Sequence, residues 1–148
     1  MQTPGLTQKI KQFALNDAGF DLVGVSPAAL PPWHAPALGR WIDDGFAGTM
    51  EYMVRDGEKR ASAQAVLPSA VSVISLAVNY YHPEDPAPQE TAGKVAKYAY
   101  GRDYHTVIGK KLKKLAVFIR EAGGPGTEVK SYVDTGPILE KAFAREAG

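Results

Sequence analysis

The chain has 148 residues, 45% of them hydrophobic and 22% charged, with a formal net charge of +1. That composition suits one ordinary globular domain around one core, and so small a charge exerts no overall pull toward nucleic acid or an anionic membrane. With no cysteine in the sequence, a disulfide framework, a thiolate zinc site, a cysteine nucleophile and a thiolate-held iron–sulfur cluster are excluded within these residues.

Met1 to Gln8 lacks the charged stretch and apolar run of a signal peptide. No segment approaches the ~20 apolar residues that span a bilayer. The expectation is a cytoplasmic chain without membrane contact. Thr3-Pro4 reads as a helix cap followed by proline at the first helical position. Leu6, Ile10, Phe13 and Ala14 then recur at helical spacing, with Gly19 as the stop. Asp21 to Ser26 is a short β-rich run closed by Pro27. Pro31 and Pro32 open a loop, and Ala35 to Asp44 predicts a helix with Leu38, Trp41 and Ile42 on its apolar side. Gly48 to Lys59 contains a short helical piece at Met50 to Met53, and Ala61 to Val66 suggests another. Val71 to Val78 is almost continuously apolar and β-branched, as in a strand covered on both faces.

His82 to Gly93 is rich in proline and polar residues and reads as a surface loop. Lys94 to Tyr100 suits either an exposed strand or a loop. The clearest helix runs from about Tyr104 to Glu121, capped by Asp103, with Tyr104, Val107, Ile108, Leu112, Leu115 and Ile119 as its apolar stripe. Glu128 to Val133 is a strand candidate, and Pro137 to Arg145 begins a last helix. Strands alternating with helices indicate an α/β layered sheet with flanking helices.

Three clusters hold residues suited to chemistry. The first is Met50 to Arg55, with Lys59 and Arg60 just after it. The second, Lys97 to His105, packs Tyr98, Tyr100, Gly101, Arg102, Asp103 and Tyr104 around a helix start. Aromatic faces beside a cation suit a conjugated ligand or a nucleobase. Tyrosines packing on the core beside a capping aspartate account for the same residues. The third cluster is Val133 to Glu140, where Asp134 ends a predicted strand, the usual ligand end of an α/β sheet. A partly desolvated carboxyl there could donate a proton, although Asp-Thr-Gly-Pro is also good turn chemistry. Lys110, Lys111, Lys113, Lys114 and Arg120 form either a solvated helix face or a phosphate-binding strip. His34, His82 and His105 lack metal-ligand spacing, so no metal site is read.

In order along the chain, Ala18 to Val25, Gly48 to Met53, Leu67 to Leu76, Tyr98-Ala99-Tyr100-Gly101-Arg102-Asp103-Tyr104-His105 and Val133-Asp134-Thr135 with Pro137, Leu139 and Glu140 resemble the amino-terminal region of epoxyqueuosine reductases. The resemblance covers nearly the whole chain. It implies one nitroreductase-like, cobalamin-binding domain over residues 1–148, a piece of a longer monomeric protein. It also implies reduction of epoxyqueuosine to queuosine at the wobble position of tRNA, with an external electron donor. By the same correspondence Asp134 is the proton donor beside the cobalamin. Arg55, Lys97, Tyr98, Tyr100, Gly101, Arg102, Asp103, Tyr104 and His105 then contact the corrinoid or the nucleotide.

The family's two 4Fe-4S clusters sit on downstream cysteine runs that this sequence lacks, as it lacks the glycine-rich, tryptophan-containing segment expected after Ala147-Gly148. The expectation is therefore a chain that does not turn over alone. Two other readings are a non-catalytic corrinoid- or tRNA-binding module and a flavin-dependent nitroreductase-like enzyme.

Overall fold

The computed structural model describes residues 5–55, 57–81, 83 and 95–148, and the side chains of residues 58 and 59 are not described. The expected cap at Thr3-Pro4, His82 with most of the loop to Gly93, Lys94 and the Lys59 side chain lie outside the described residues.

Helix α1 covers Leu6–Asn16. It presents Ile10 and Ala14 to the core and stops before Gly19, whose φ of +77° only glycine adopts without strain. Strand β1, Leu22–Pro27, pairs antiparallel with β2, Ser72–Ala77, from Leu22↔Ala77 to Pro27↔Ser72. Between them lie α2 (His34–Asp43), the short α3 (Glu51–Arg55) and α4 (Gly57–Arg60), and a 3-10 turn at Ala63–Ala65. A second 3-10 turn, Lys97–Ala99, settles that stretch as a loop. The long α5, Tyr104–Gly123, and the short α6, Glu140–Glu146, complete the chain.

Alternation along the two strands sends side chains to opposite faces, and each face has its own helices. Val23, Ile74 and Leu76 pack with Phe20 under α1 and α5, against Ile10, Ala14, Leu115 and Ile119. On the other face Val73 and Ala28 meet Phe143 of α6. Gly24 faces that helix too, because a methyl there would lie 2.7 Å from the Ala147 side chain. The expected sheet with flanking helices is thus observed.

Two expectations are corrected. Helices lie on both faces of β2, yet none of its six residues is fully buried. Among the described residues the sheet has only two strands, so β2 is an edge, and its side chains line an open cavity of about 680 Å³. Glu128 to Val133 is not a strand. Its groups are tied by side chains instead of a ladder: Arg120 donates to the Val129 carbonyl at 3.1 Å, Lys130 donates to the Val66 carbonyl at 3.3 Å, and Ser69 donates to the Glu128 carboxylate.

The basic face of α5 is partly structural. Lys114 donates to the Asp17 carbonyl at 2.7 Å and Lys111 donates to the Gly19 carbonyl. Two cations thereby satisfy carbonyls at and just beyond the end of α1, where helices leave acceptors unpaired. Among the described residues no helix is long and apolar enough to cross a membrane.

Candidate functional site

Asp134 is the one residue other than glycine with positive φ among those described, at +47°. Aspartate tolerates this left-handed conformation better than most residues, and the turn places its carboxylate against the first turn of α5. Tyr104 donates its hydroxyl to Oδ2, and His105 Nε2 lies 3.0 Å from Oδ1. On its other side His105 Nδ1 lies 3.0 Å from Asp103 Oδ1. Asp103 is also the helix cap anticipated from the sequence, accepting the His105 backbone N–H at 3.0 Å. One imidazole therefore bridges two carboxylates, and both Asp134 oxygens accept.

The electrostatics follow from these contacts. The hydrogen bond to Asp134 pushes the Tyr104 phenol up to about 12, because losing its proton would set two anions together. Hydrogen bonds first to Asp103 and then to Asp134 raise His105 above its ordinary value. The His105 ring in turn lowers Asp103. Glu140, the first residue of α6, is raised by burial and then by the Asp134 charge, although the Asp134 backbone N–H bonds to it. Glu140, Asp134 and Tyr104 all line the cavity beside β2.

A file of rings leads away from this centre. Tyr104 stacks on His105 at 4.1 Å, Tyr98 meets Tyr104 edge-on at 5.9 Å, and Tyr80 meets Tyr98 edge-on at 6.3 Å. Tyr98 and Tyr80 are exposed. Lys97 sits 4.8 Å above the Tyr81 ring. Gly101 has φ of +83° and no atom within 4 Å of where a side chain would begin, so the backbone there is open to close approach. Flat exposed rings beside accessible backbone fit a large conjugated macrocycle such as a corrinoid. No cysteine is present to hold a cluster, so the residues do not fit iron–sulfur ligation.

The structure thus brings Asp103, Tyr104, His105 and Asp134 into one bonded group, with Tyr98 next to it. Tyr100 is half-buried, while Gly101 and Arg102 are exposed on the connecting loop. Arg55 closes α3 and is not among the residues that line the cavity. Glu140, which closes the third cluster read from the sequence, belongs to the neighbourhood, as does Tyr80, which the sequence reading did not single out. Tyr80 lies two residues beyond the Val71 to Val78 run, and no local pattern ties it to Tyr98.

Comparison with known proteins gives the family and the fold. The family described as Epoxyqueuosine reductase QueG, DUF1730, matches residues 60–135. An epoxyqueuosine reductase of Gloeobacter violaceus is 46% identical over 132 residues, covering 88% of this chain and 40% of that protein. Among solved structures, epoxyqueuosine reductase from Streptococcus thermophilus superposes with a TM-score of 0.81 at 30% identity, over 96% of this chain and 38% of that one. An epoxyqueuosine reductase crystallised with a tRNA-Tyr epoxyqueuosine-modified stem loop superposes with a TM-score of 0.75 at 26% identity, over 97% of this chain and 38% of its own. The chain spans about two fifths of the length of the relatives it matches.

Proposed function

This chain belongs to the epoxyqueuosine reductase family, and on that premise we propose that it forms the corrinoid-holding, proton-donating part of an enzyme that reduces epoxyqueuosine to queuosine in tRNA. The observation that carries the reading is Asp134, fixed in a left-handed turn by Tyr104 and His105 next to an open aromatic face. Opening an epoxide places negative charge on its oxygen as the C–O bond breaks. A carboxyl group within hydrogen-bond reach neutralises that charge as it forms, an effect worth roughly 10²–10⁴ in rate.

A bound reduced corrinoid would supply the nucleophile and electrons for the step. This chain's own residues do the rest. Tyr98 offers an exposed ring to the macrocycle or to a base, Gly101 lets the backbone approach it, and Arg102 and Lys97 provide cations for phosphate or amide groups. Tyr104 and His105 hold Asp134 in its orientation. Arg55 is assigned to nucleotide or corrinoid contact by family correspondence alone. The tRNA is the substrate, by analogy with the relative crystallised with a modified stem loop. Because the sequence has no cysteine, the 4Fe-4S clusters and the external donor that feeds them are placed in the portion of the family without a counterpart here.

A cobalamin titration of the purified chain, followed by absorbance, tests the reading. Saturable binding with a shifted corrinoid spectrum is expected, weakened in Tyr98→Ala. An unshifted spectrum at millimolar cobalamin overturns the corrinoid assignment. A yellow protein that releases flavin would point to nitroreductase-like chemistry instead.

A further inference from the structure

We propose that the proton delivered at Asp134 is stored on His105, and that Asp103 is the fixed counter-charge that keeps it there. The inference rests on the reading of Asp134 as the acid and adds where its proton comes from. It begins with a count of hydrogens. Neutral imidazole carries one N–H, yet both His105 nitrogens lie 3.0 Å from a carboxylate oxygen. With one hydrogen on the ring and both aspartates ionised, one of those contacts would set lone pair against lone pair. With two, both are charge-assisted bonds.

The surroundings keep the ring in that position. Asp103 cannot swing away, because its Oδ1 also accepts the His105 backbone N–H at 3.0 Å and its Oδ2 accepts the Thr106 hydroxyl at 3.3 Å. Tyr104 stacks on the imidazole face at 4.1 Å and bonds the second Asp134 oxygen. The titratable groups around the ring are therefore Asp103, Asp134 and Tyr104, with Glu140 next to Asp134. Hydrogen bonds to the two carboxylates, Asp103 first and then Asp134, shift His105 upward. Its side chain is 43% exposed, so solvent can refill it.

The transfer balances without an added reagent. Asp134 rests as the carboxylate: the Nε2–H bond breaks as an O–H bond forms at Asp134 Oδ1, and that O–H bond then breaks as the same proton passes to the opening epoxide oxygen. Imidazolium becomes imidazole, Asp134 is again the carboxylate, and a proton from solvent refills Nε2. His105 does not touch substrate in this scheme, so it is a positioning and proton-holding residue.

The test is a ¹⁵N titration of the imidazoles in this chain, with His105 assigned by loss of its signals in His105→Gln. At pH 7 both His105 nitrogens should be protonated, and Asp103→Asn and Asp134→Asn should each lower its midpoint. Asparagine keeps the helix cap and tolerates the left-handed turn, so both variants should fold. A neutral His105 at pH 7, or a midpoint unmoved by Asp134→Asn, overturns the proposal. A full-length enzyme carrying this segment supplies the readout that a purely structural ion pair would not move. Its rate should fall as pH rises through the His105 titration, and Asp103→Asn should bring that fall to lower pH. An unmoved profile also overturns the proposal. The two readings fail separately: lost cobalamin binding with the imidazole coupling intact removes the corrinoid assignment alone, and lost coupling with binding intact removes the proton store alone.

Discussion

Replacing Phe143 with alanine tests whether α6, and the Asp134 turn in front of it, is fastened to the sheet through a single ring. Phe143 is 1% exposed and packs against Ala28, Ala63, Ala70, Leu30, Val73 and Ile138. Phe→Ala in a core costs about 3–5 kcal/mol, depending on how far the walls can close on the cavity. Here three of the wall residues are alanines, whose positions are those of the backbone, so collapse is restricted. The expected loss is therefore near the middle or top of that range, about 4 kcal/mol. In a fold of about 5–15 kcal/mol total stability that is a large fraction. It should appear as a fall in Tm of roughly 8–16 °C, at about 2–4 °C per kcal/mol for this size. Urea denaturation followed by circular dichroism gives the free energy directly. Phe143→Leu, which keeps much of the volume, should cost about 1 kcal/mol. A loss below about 1.5 kcal/mol for Phe143→Ala, against the core range, would refute the view that this ring holds α6 to the sheet.

Two further outcomes concern the site itself. Gly136→Ala would set a methyl 2.5 Å from Tyr132 Cγ and 2.8 Å from its Cβ. Because the ring root rather than its far end is struck, the Tyr132-to-Gly136 turn must shift, at about 1–3 kcal/mol, and thermal unfolding together with the His105 ¹⁵N pattern should register both effects. In a near-ultraviolet titration of phenolate absorbance, one tyrosine should resist ionisation until about pH 12, and Asp134→Asn should bring it back toward 10. The sign follows from linkage: Tyr104 is raised in the folded state, so its contribution is whole below about 10 and is lost as pH climbs through about 12. If every tyrosine ionises together near 10, the Tyr104–Asp134 bond is not formed in solution.

Local patterning was enough for the elements whose signals lie within a few residues. Leu112, Leu115 and Ile119 at helical spacing, with Asp103 before them, specify α5 and its cap, and the structure has both. The run from Val71 to Val78 specifies β2, because a short apolar run rich in β-branched residues suits a strand. The sequence by itself also excluded thiolate chemistry, since that needs only the absence of cysteine. It failed at Glu128 to Val133, the strand candidate. A strand exists only by pairing, and these residues are held by Arg120, Lys130 and Ser69.

Tertiary structure alone decided what the polar residues do. From sequence Lys111 and Lys114 suited either a solvated helix face or a phosphate-binding strip, and the structure instead sets them on carbonyls at the end of α1. Tyr104 and His105 are about thirty residues from Asp134 in sequence, and no periodicity joins them. What joins them is the crossing of α5's first turn by the returning chain, with φ of +47° at Asp134 aiming its carboxylate at both side chains. Hydrogen bonds reach only about 3 Å, so their partners depend on how distant segments pack, whereas helices and strands are written in neighbouring residues.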